Sequence, residues 1–303
     1  VPAPVAWVTG ASGFIGSHVA ALFAAKGWRV VKIDRLRPAM PDDLSVTAPV
    51  ATPALAAACD LAGPPAAVFH GAGNGSVGRS VADPAACRRD TLETTETLLA
   101  FLRETAPRAR LVFPSSAAVY GAAEAAPLAE DRPLSPVSPY GMHKAAAEAA
   151  CRAAAAAGQP VAILRMFSVY GPGLRKQLPW DLGQRLLAGN GAVELFGDGG
   201  ETRDFLEVAD AAAFIVALAT DPHPTPLVVN GGTGRATTVA DFAARLAAAL
   251  GVTRAIRFNG QVRAGDPRHY CADVTRARAL GLNATVGLDR GLAAYAAWLR
   301  GMG

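Results

Sequence analysis

The chain of 303 residues is poor in aromatics (7%) and in charge (18%), and it contains only four cysteines. Cys59, Cys87, Cys151 and Cys271 lie far apart and form no C-x-x-C pair. That spacing argues against a disulfide framework or a zinc site and leaves free, buried thiols as the expectation; no metal site is expected. Hydrophobic residues make up 51% of the chain, yet no uninterrupted apolar run reaches the roughly 18 residues of a membrane span. The alanine tract from Ala145 is broken by Glu148 and Arg152. Lys and Arg are scattered and the net charge is only +4, so a nucleic-acid stripe is not expected, whereas an anionic small ligand suits the balance. A strand-like run starts within the first five residues. No secretory leader is therefore expected, and a cytoplasmic, reducing setting is the default.

What is present is enough apolar sequence for one large domain or two smaller ones. The first half alternates short apolar runs with helical patterns. Strands are predicted at Val5–Thr9, Trp28–Ile33, Ala67–His70, Arg110–Ser115 and Pro160–Arg165, and helices at Ser17–Lys26, Pro84–Glu104 and Pro139–Ala157. Such alternation implies an α/β fold with a doubly wound parallel sheet covered on both faces. After Tyr170 the pieces shorten: helices at Leu178–Leu187 and Val208–Thr220, strands at Val193–Phe196 and Leu227–Asn230, then helices at Val239–Leu250 and Leu288–Leu299. The expected division is a Rossmann-type domain over 1–170 and a smaller α/β substrate lobe over 171–303, with some elements crossing back. Between Arg35 and Ala62 the pattern is too weak to place a strand.

The segment Gly10-Ala11-Ser12-Gly13-Phe14-Ile15-Gly16 joins the first strand to the first helix. Glycine at every third position permits a tight turn, close backbone approach to a pyrophosphate, and close helix–strand packing. The helix start, with Phe14 and Ile15, offers N–H groups and a partial positive charge to phosphate. Asp34 follows Gly16 by 18 residues, near the spacing of about 20 expected for a carboxylate that bonds ribose hydroxyls. It favours NAD over NADP, although the adjacent Arg35 is a residue that could clamp a 2′-phosphate.

Tyr140 and Lys144 stand four residues apart on a predicted helix, and so share a face. A nearby ammonium favours the phenolate, which lets tyrosine move a substrate hydroxyl proton while hydride moves to or from a nicotinamide. Taken alone, the pair also reads as an exposed tyrosine and a snorkelling lysine. Ser116 lies near the carboxyl end of a predicted parallel strand, where such sheets bind ligands. It can bond the same substrate oxygen, or merely cap a loop.

In this order the motifs resemble the extended short-chain dehydrogenase/reductase family, in its NAD-dependent epimerase/dehydratase branch. The resemblance runs through Thr9–Gly16, Val68–Gly73, Ser115–Gly121, Ser138–Lys144, Leu164–Gly173, Phe196–Gly199, Thr202–Phe205 and Arg263–Asp266. It implies a catalytic trio of Ser116, Tyr140 and Lys144, and NAD held by the glycine turn, Asp34, Arg35, Gly71, Ala72, Tyr140 and Lys144. It also implies a nucleotide-sugar substrate, a UDP-sugar first, touched by Ser80, Ser116, Tyr140, Ser168, Phe196, Arg203, Arg263 and Tyr270. The two arginines match the family's diphosphate ligands, Phe196 the residue that packs on the base, and Tyr270 a gate residue. Phe196 also reads as plain core, and the arginines as solvated surface.

The family's 4,6-dehydratases carry an Asp-Glu pair after the catalytic hydroxyl, where this chain has Ala117 and Ala118. The stretch from His70 to Val81 resembles UDP-glucose 4-epimerases. The resemblance thus implies epimerisation at C4 through a transient 4-keto sugar. A reductase of a 4-keto nucleotide sugar is the alternative, and a dinucleotide-sensing protein without turnover is a third. It also implies a homodimer through a four-helix bundle of the helices near 84–104 and 139–157. Ser168 and Thr91 replace asparagines usual in the family.

Overall fold

The computed structural model describes residues 2–36, 44–122, 127–189, 191–221, 227–261 and 268–302. In the first half the elements are β1 (Val5–Thr9), α1 (Phe14–Ala25), β2 (Arg29–Asp34), β3 (Ser45–Thr47), α2 (Thr52–Ala62), β4 (Ala67–His70), α3 (Val77–Ala82), α4 (Pro84–Arg88), α5 (Thr94–Thr105), β5 (Arg110–Ser116), α6 (Pro139–Ala156) and β6 (Val161–Met166). Then follow β7 (Ser168–Tyr170), α7 (Gln177–Leu187), β8 (Val193–Leu195), β9 (Thr202–Arg203), β10 (Phe205–Glu207), α8 (Val208–Thr220), β11 (Leu227–Gly231), β12 (Thr237–Thr238), α9 (Val239–Ala249), β13 (Ile256–Phe258), α10 (Thr275–Ala279) and α11 (Leu288–Arg300).

A seven-stranded sheet has the order β11-β6-β5-β4-β1-β2-β3. Its β1–β2, β1–β4, β4–β5, β5–β6 and β2–β3 pairs are parallel. This is the doubly wound Rossmann-type arrangement expected from the alternation. Every residue of β1 and of β4 is buried, as a sheet covered on both faces requires. The core joins Trp7, Ile33, Leu55, Val68, Leu98, Leu102, Phe113 and Ile163.

The chain divides into two compact units. The first comprises 1–121, 133–166 and 212–229; the second comprises 122–132, 167–211 and 230–303. Within the second, Phe205 stacks on Phe242 at 4.0 Å, and Tyr170 meets both rings edge-on. The buried Asp204 carboxylate gathers the loops of this unit. It accepts from Thr233 N–H at 2.7 Å, Gly234 N–H at 2.9 Å and Ala272 N–H at 3.1 Å.

The helix expected at Pro84–Glu104 is broken. α4 passes into a π-helical turn at Arg89–Glu93 before α5 begins. A π turn widens the backbone ladder by one residue and loosens its carbonyls. Threonine hydroxyls fill in: Thr94, Thr95 and Thr97 donate to the carbonyls of Asp90, Thr91 and Glu93 at 2.7, 2.6 and 2.8 Å. The weakly patterned stretch after Arg35 holds the three-residue β3 and α2.

Candidate active site

The dinucleotide turn has the geometry its glycines imply. Gly10 has φ +68°, and a Cβ there would lie 2.5 Å from the Gly71 carbonyl carbon. A Cβ on Gly16 would lie 2.1 Å from the Gly10 carbonyl oxygen. The two loops and the start of α1 therefore touch backbone to backbone, and only hydrogen fits between them. Gly13 caps α1 without a side chain, so the helix start is presented bare, with Phe14 and Ile15 half-buried behind it. At the end of β2, Asp34 accepts from Ser12 N–H and from Leu36 N–H, both at 2.9 Å. Its carboxylate thus ties the glycine turn to the second strand, and each oxygen keeps lone-pair capacity for a further donor. Arg35 lies 3.6 Å from Asp90 in an exposed ion pair. Thr9 completes the floor. Its hydroxyl accepts from Ala72 N–H at 3.1 Å, and its carbonyl from Gly71 N–H at 3.0 Å. A hydrogen-only cradle beside a helix start and an acidic residue fits a pyrophosphate dinucleotide with free ribose hydroxyls.

Thr9 Oγ1 is also 2.8 Å from His70 Nδ1. His70 is fully enclosed, and its Nε2 finds no partner among the described residues. Burial, and then the nearby Lys144 ammonium, push its pKa down to about 3, so it is neutral. The sequence marked His70 by its place at a strand end and in the stretch that carries the resemblance; its environment was not legible there.

Ser116, Tyr140 and Lys144 come together in the first unit. Ser116 ends β5, and its Oγ accepts from Ala118 N–H at 3.2 Å, starting a short 3₁₀ turn at Ala117–Tyr120. The Ser116 side chain lies near enough to the Tyr140 phenol to favour its ionised form. Lys144 Nζ donates to Pro114 O at 2.7 Å and lies 4.8 Å from the Phe113 ring centre and 6.0 Å from that of Tyr140. Lys144 is buried and half-buried Tyr140 shares its helix face, so a snorkelling surface pair is excluded. The expected lowering of the phenol's pKa is not what the protein alone produces. Burial raises it, with the nearby Ser116 side chain acting in the opposite direction. At 6.0 Å from the ring, an ammonium also committed to a carbonyl does not outweigh desolvation.

Beneath the trio lies a buried ion pair that the sequence reading missed. Glu148 and Arg165 are each 1% exposed. Arg165 Nε and Nη2 donate to the two carboxylate oxygens at 2.9 and 2.7 Å, and Ser115 Oγ donates to Oε1 at 2.6 Å. Arg165 Nη1 donates to the Tyr120 hydroxyl at 3.1 Å. The sequence signal was there: Glu148 stands four residues after Lys144, on the same helix face.

Ser80 is fully buried, its Oγ bonded to the backbone of Val77 and Tyr140. Ser168, Phe196, Arg203 and Tyr270 lie in the second unit. Phe196 is 47% exposed, which excludes the plain-core reading. Half-buried Arg203 donates to its neighbour's carbonyl, Thr202 O, at 2.9 Å. Tyr270 meets Phe167 edge-on at 6.2 Å, and Ser168 N–H bonds Asp204 O at 2.9 Å. Arg263 lies outside the described residues. Thr91 is buried, and its Oγ1 accepts from Asn74 N–H at 3.4 Å, so the shorter hydroxyl still supports the loop after β4. Among the described residues, no group of acidic, histidine and cysteine side chains could hold a metal ion, and no helix is long and apolar enough to cross a membrane.

Comparison with known proteins agrees with this geometry. A UDP-glucose 4-epimerase of Azospirillum brasilense is 33% identical over 91% of this chain and 85% of its own. A dTDP-glucose 4,6-dehydratase of Streptomyces griseus is also 33% identical, over 96% and 92%. The solved structure of MoeE5 in complex with UDP-glucose and NAD superposes with a TM-score of 0.89 at 33% identity, covering 99% of both chains. The profile of the NAD dependent epimerase/dehydratase family matches residues 6–231, and the chain belongs to that family.

Proposed function

We propose that the chain epimerises a nucleotide sugar at C4 by transient oxidation to the 4-keto sugar. The observation that carries the reading is the Lys144 ammonium 6.0 Å from the Tyr140 ring centre and bonded to Pro114 O, with Ser116 at the end of the same strand and followed at once by two alanines. Ala117 and Ala118 cannot move protons, so the added acid and base that elimination of water demands are missing next to Ser116. NAD, when bound, supplies the acceptor and donor of hydride. The chain's own residues handle the proton. Tyr140 takes it from the C4 hydroxyl and returns it, Ser116 holds the same oxygen, and Lys144 keeps positive charge at the phenol. Burial raises that phenol's pKa above its ordinary value, so positive charge beside it favours the form that accepts the proton.

For the cofactor, the glycine turn with Gly10, Gly13 and Gly16, together with Asp34, Gly71 and Ala72, forms the cradle. The Arg35–Asp90 pair and the free lone pairs of Asp34 favour NAD over NADP. For the substrate, Arg203 and Arg263 supply guanidinium forks for a diphosphate, Phe196 offers an exposed ring to a base, and Tyr270 and Ser168 stand for the sugar side. A uridine diphosphate sugar is the first candidate, since relatives of this architecture have been solved with UDP-glucose. We assign 1–170 and 171–303 as the cofactor and substrate portions of the chain, with some elements crossing back, and expect a homodimer through a four-helix bundle of the helices near 84–104 and 139–157. Light scattering that shows a monomer at micromolar concentration would refute the dimer.

The test is a panel of UDP-, dTDP- and GDP-sugars with no cofactor added. NAD should co-purify at close to one per chain, and pairs of C4 epimers should interconvert. Turnover that demands added NADPH would replace this reading with the 4-keto reductase, and an unchanged yield in Tyr140→Phe would remove Tyr140 from the chemistry.

A further inference from the structure

We infer that Ser80 is a positioning residue for Tyr140 and makes no contact with substrate. This rests on the reading of Tyr140 as the proton-transfer group. The first N–H groups of a helix have no partner within it, and at α6 those of Tyr140 and Gly141 are taken up by serine side chains. Pro139, the first helical residue, has none. Gly141 N–H donates to the Ser138 side chain at 3.2 Å, and Met142 N–H to the Ser138 carbonyl at 2.9 Å. Tyr140 N–H donates to Ser80 Oγ at 3.0 Å, across 60 residues of sequence. Ser80 gives its own hydroxyl proton to Val77 O at 2.7 Å, and it is 0% exposed. An oxygen so enclosed, with its proton and one lone pair committed to backbone, is a joint between two elements.

The joint connects the catalytic tyrosine to the loop that follows the cofactor cradle. α3, which carries Ser80, begins directly after Asn74–Ser76. That loop is pinned by Asn74 N–H on Thr91 Oγ1 and by Ser76 N–H on Asn74 Oδ1 at 3.0 Å. On the other side of the helix start, a Cβ on Gly141 would lie 2.6 Å from Ala118 O and 3.0 Å from Pro136 Cβ, so α6 presses on the turn that leaves Ser116. The Tyr140 backbone is thus held between the Ser116 turn and the Ser80 hydroxyl. A displacement of about 1 Å at a reacting group is enough to cost up to about a hundredfold in rate.

The experiment compares wild type, Ser80→Ala, Ser80→Cys and Tyr140→Phe as full-length, NAD-loaded protein, each assayed on the C4-epimer pair that wild type interconverts. Ser80→Ala is expected to lower kcat about tenfold, to leave KM within about twofold, and to move the acid limb of the pH–rate profile. Ser80→Cys, with a weaker acceptor of similar size, should fall between. If the alanine variant fails to fold, the cysteine variant decides by the same criteria. A raised KM at unchanged kcat would make Ser80 a substrate contact and overturn the inference. So would a lowered melting temperature with kcat and pH profile unchanged, since that is the mark of a merely structural bond. The failures separate: an inactive Tyr140→Phe with full kcat in Ser80→Ala sinks only the role of Ser80, whereas an active Tyr140→Phe sinks the reading of Tyr140. A substrate-free readout uses ring-labelled tyrosine NMR, with the Tyr140 signal assigned from Tyr140→Phe. Ser80→Ala should move the titration midpoint of that signal, and an unmoved midpoint counts against positioning.

Discussion

Replacing Glu148 by glutamine keeps the size of the side chain and removes its charge, leaving the Arg165 guanidinium enclosed without its counter-ion. Both groups are 1% exposed, so water cannot take the place of the carboxylate. The native pair has two direct bonds of 2.9 and 2.7 Å, with a third to Ser115 at 2.6 Å. Breaking a buried pair by changing one partner costs about 3–5 kcal/mol. For a domain of roughly 150–250 residues, each kcal/mol lowers Tm by about 2–4 °C, so the expected fall is roughly 6–20 °C by calorimetry. Ser115→Ala removes one charge-assisted bond and should cost about 1.5–3 kcal/mol. Because Ser115 and Arg165 share Glu148 Oε1, the double variant should lose less than the sum of the singles. Replacing Glu148 and Arg165 together by Leu and Met should be milder than Glu148→Gln alone, since no charge is then stranded. A fall in Tm below about 3 °C for Glu148→Gln would refute the reasoning, because the pair would then behave like an exposed one.

Three further outcomes are expected. His70 is held neutral, with a pKa of about 3 against 6.5 when unfolded. The unfolded chain therefore binds the extra proton between those values, and stability falls as pH falls through that window, by up to about 1.4 kcal/mol per pH unit. His70→Gln should flatten the slope of Tm against pH there, and an identical slope would contradict it. Gly16→Ala would press a methyl group against the Gly10 carbonyl at 2.1 Å. It should abolish co-purification of NAD, read from the dinucleotide released on denaturation, while a normal cofactor content would show that the turn yields easily. Arg203→Ala should raise KM about tenfold for a diphosphate sugar with kcat little changed; a selective loss of kcat would assign Arg203 to the transition state instead.

Much of the sheet was legible because burial on both faces writes continuous apolar runs. Ala67–His70 was placed to the residue, and Val5–Thr9 likewise. β3 was not, because three half-buried or exposed residues at a sheet edge carry no apolar period. α3 and the π turn were hidden for a related reason: segments of five or six residues are too short to show a helical period, and single hydroxyl bonds such as Ser80 to Val77 O and Thr94 to Asp90 O help decide them. In the site, residue types and spacing were readable but environments were not. The sequence pointed to the neighbourhood of Tyr140 and Lys144. Only the fold shows that desolvation raises the phenol, that Phe196 keeps an open ring, and that Ser80 is sealed beneath the start of α6.

The widened turn at Arg89–Glu93 has a geometric result that reaches along the rest of its helix. One additional residue in a helical ladder rotates everything after it by about 100°. With that offset in place, Leu98, Leu99 and Leu102 point into the core. Trimming one residue from the turn would shift Leu98 and Leu102 out of their core places and put Glu96 and Arg103 in the buried places of Thr95 and Leu102. The three threonine hydroxyls therefore act as a phase lock, deciding which side of α5 faces the sheet and which side remains outward.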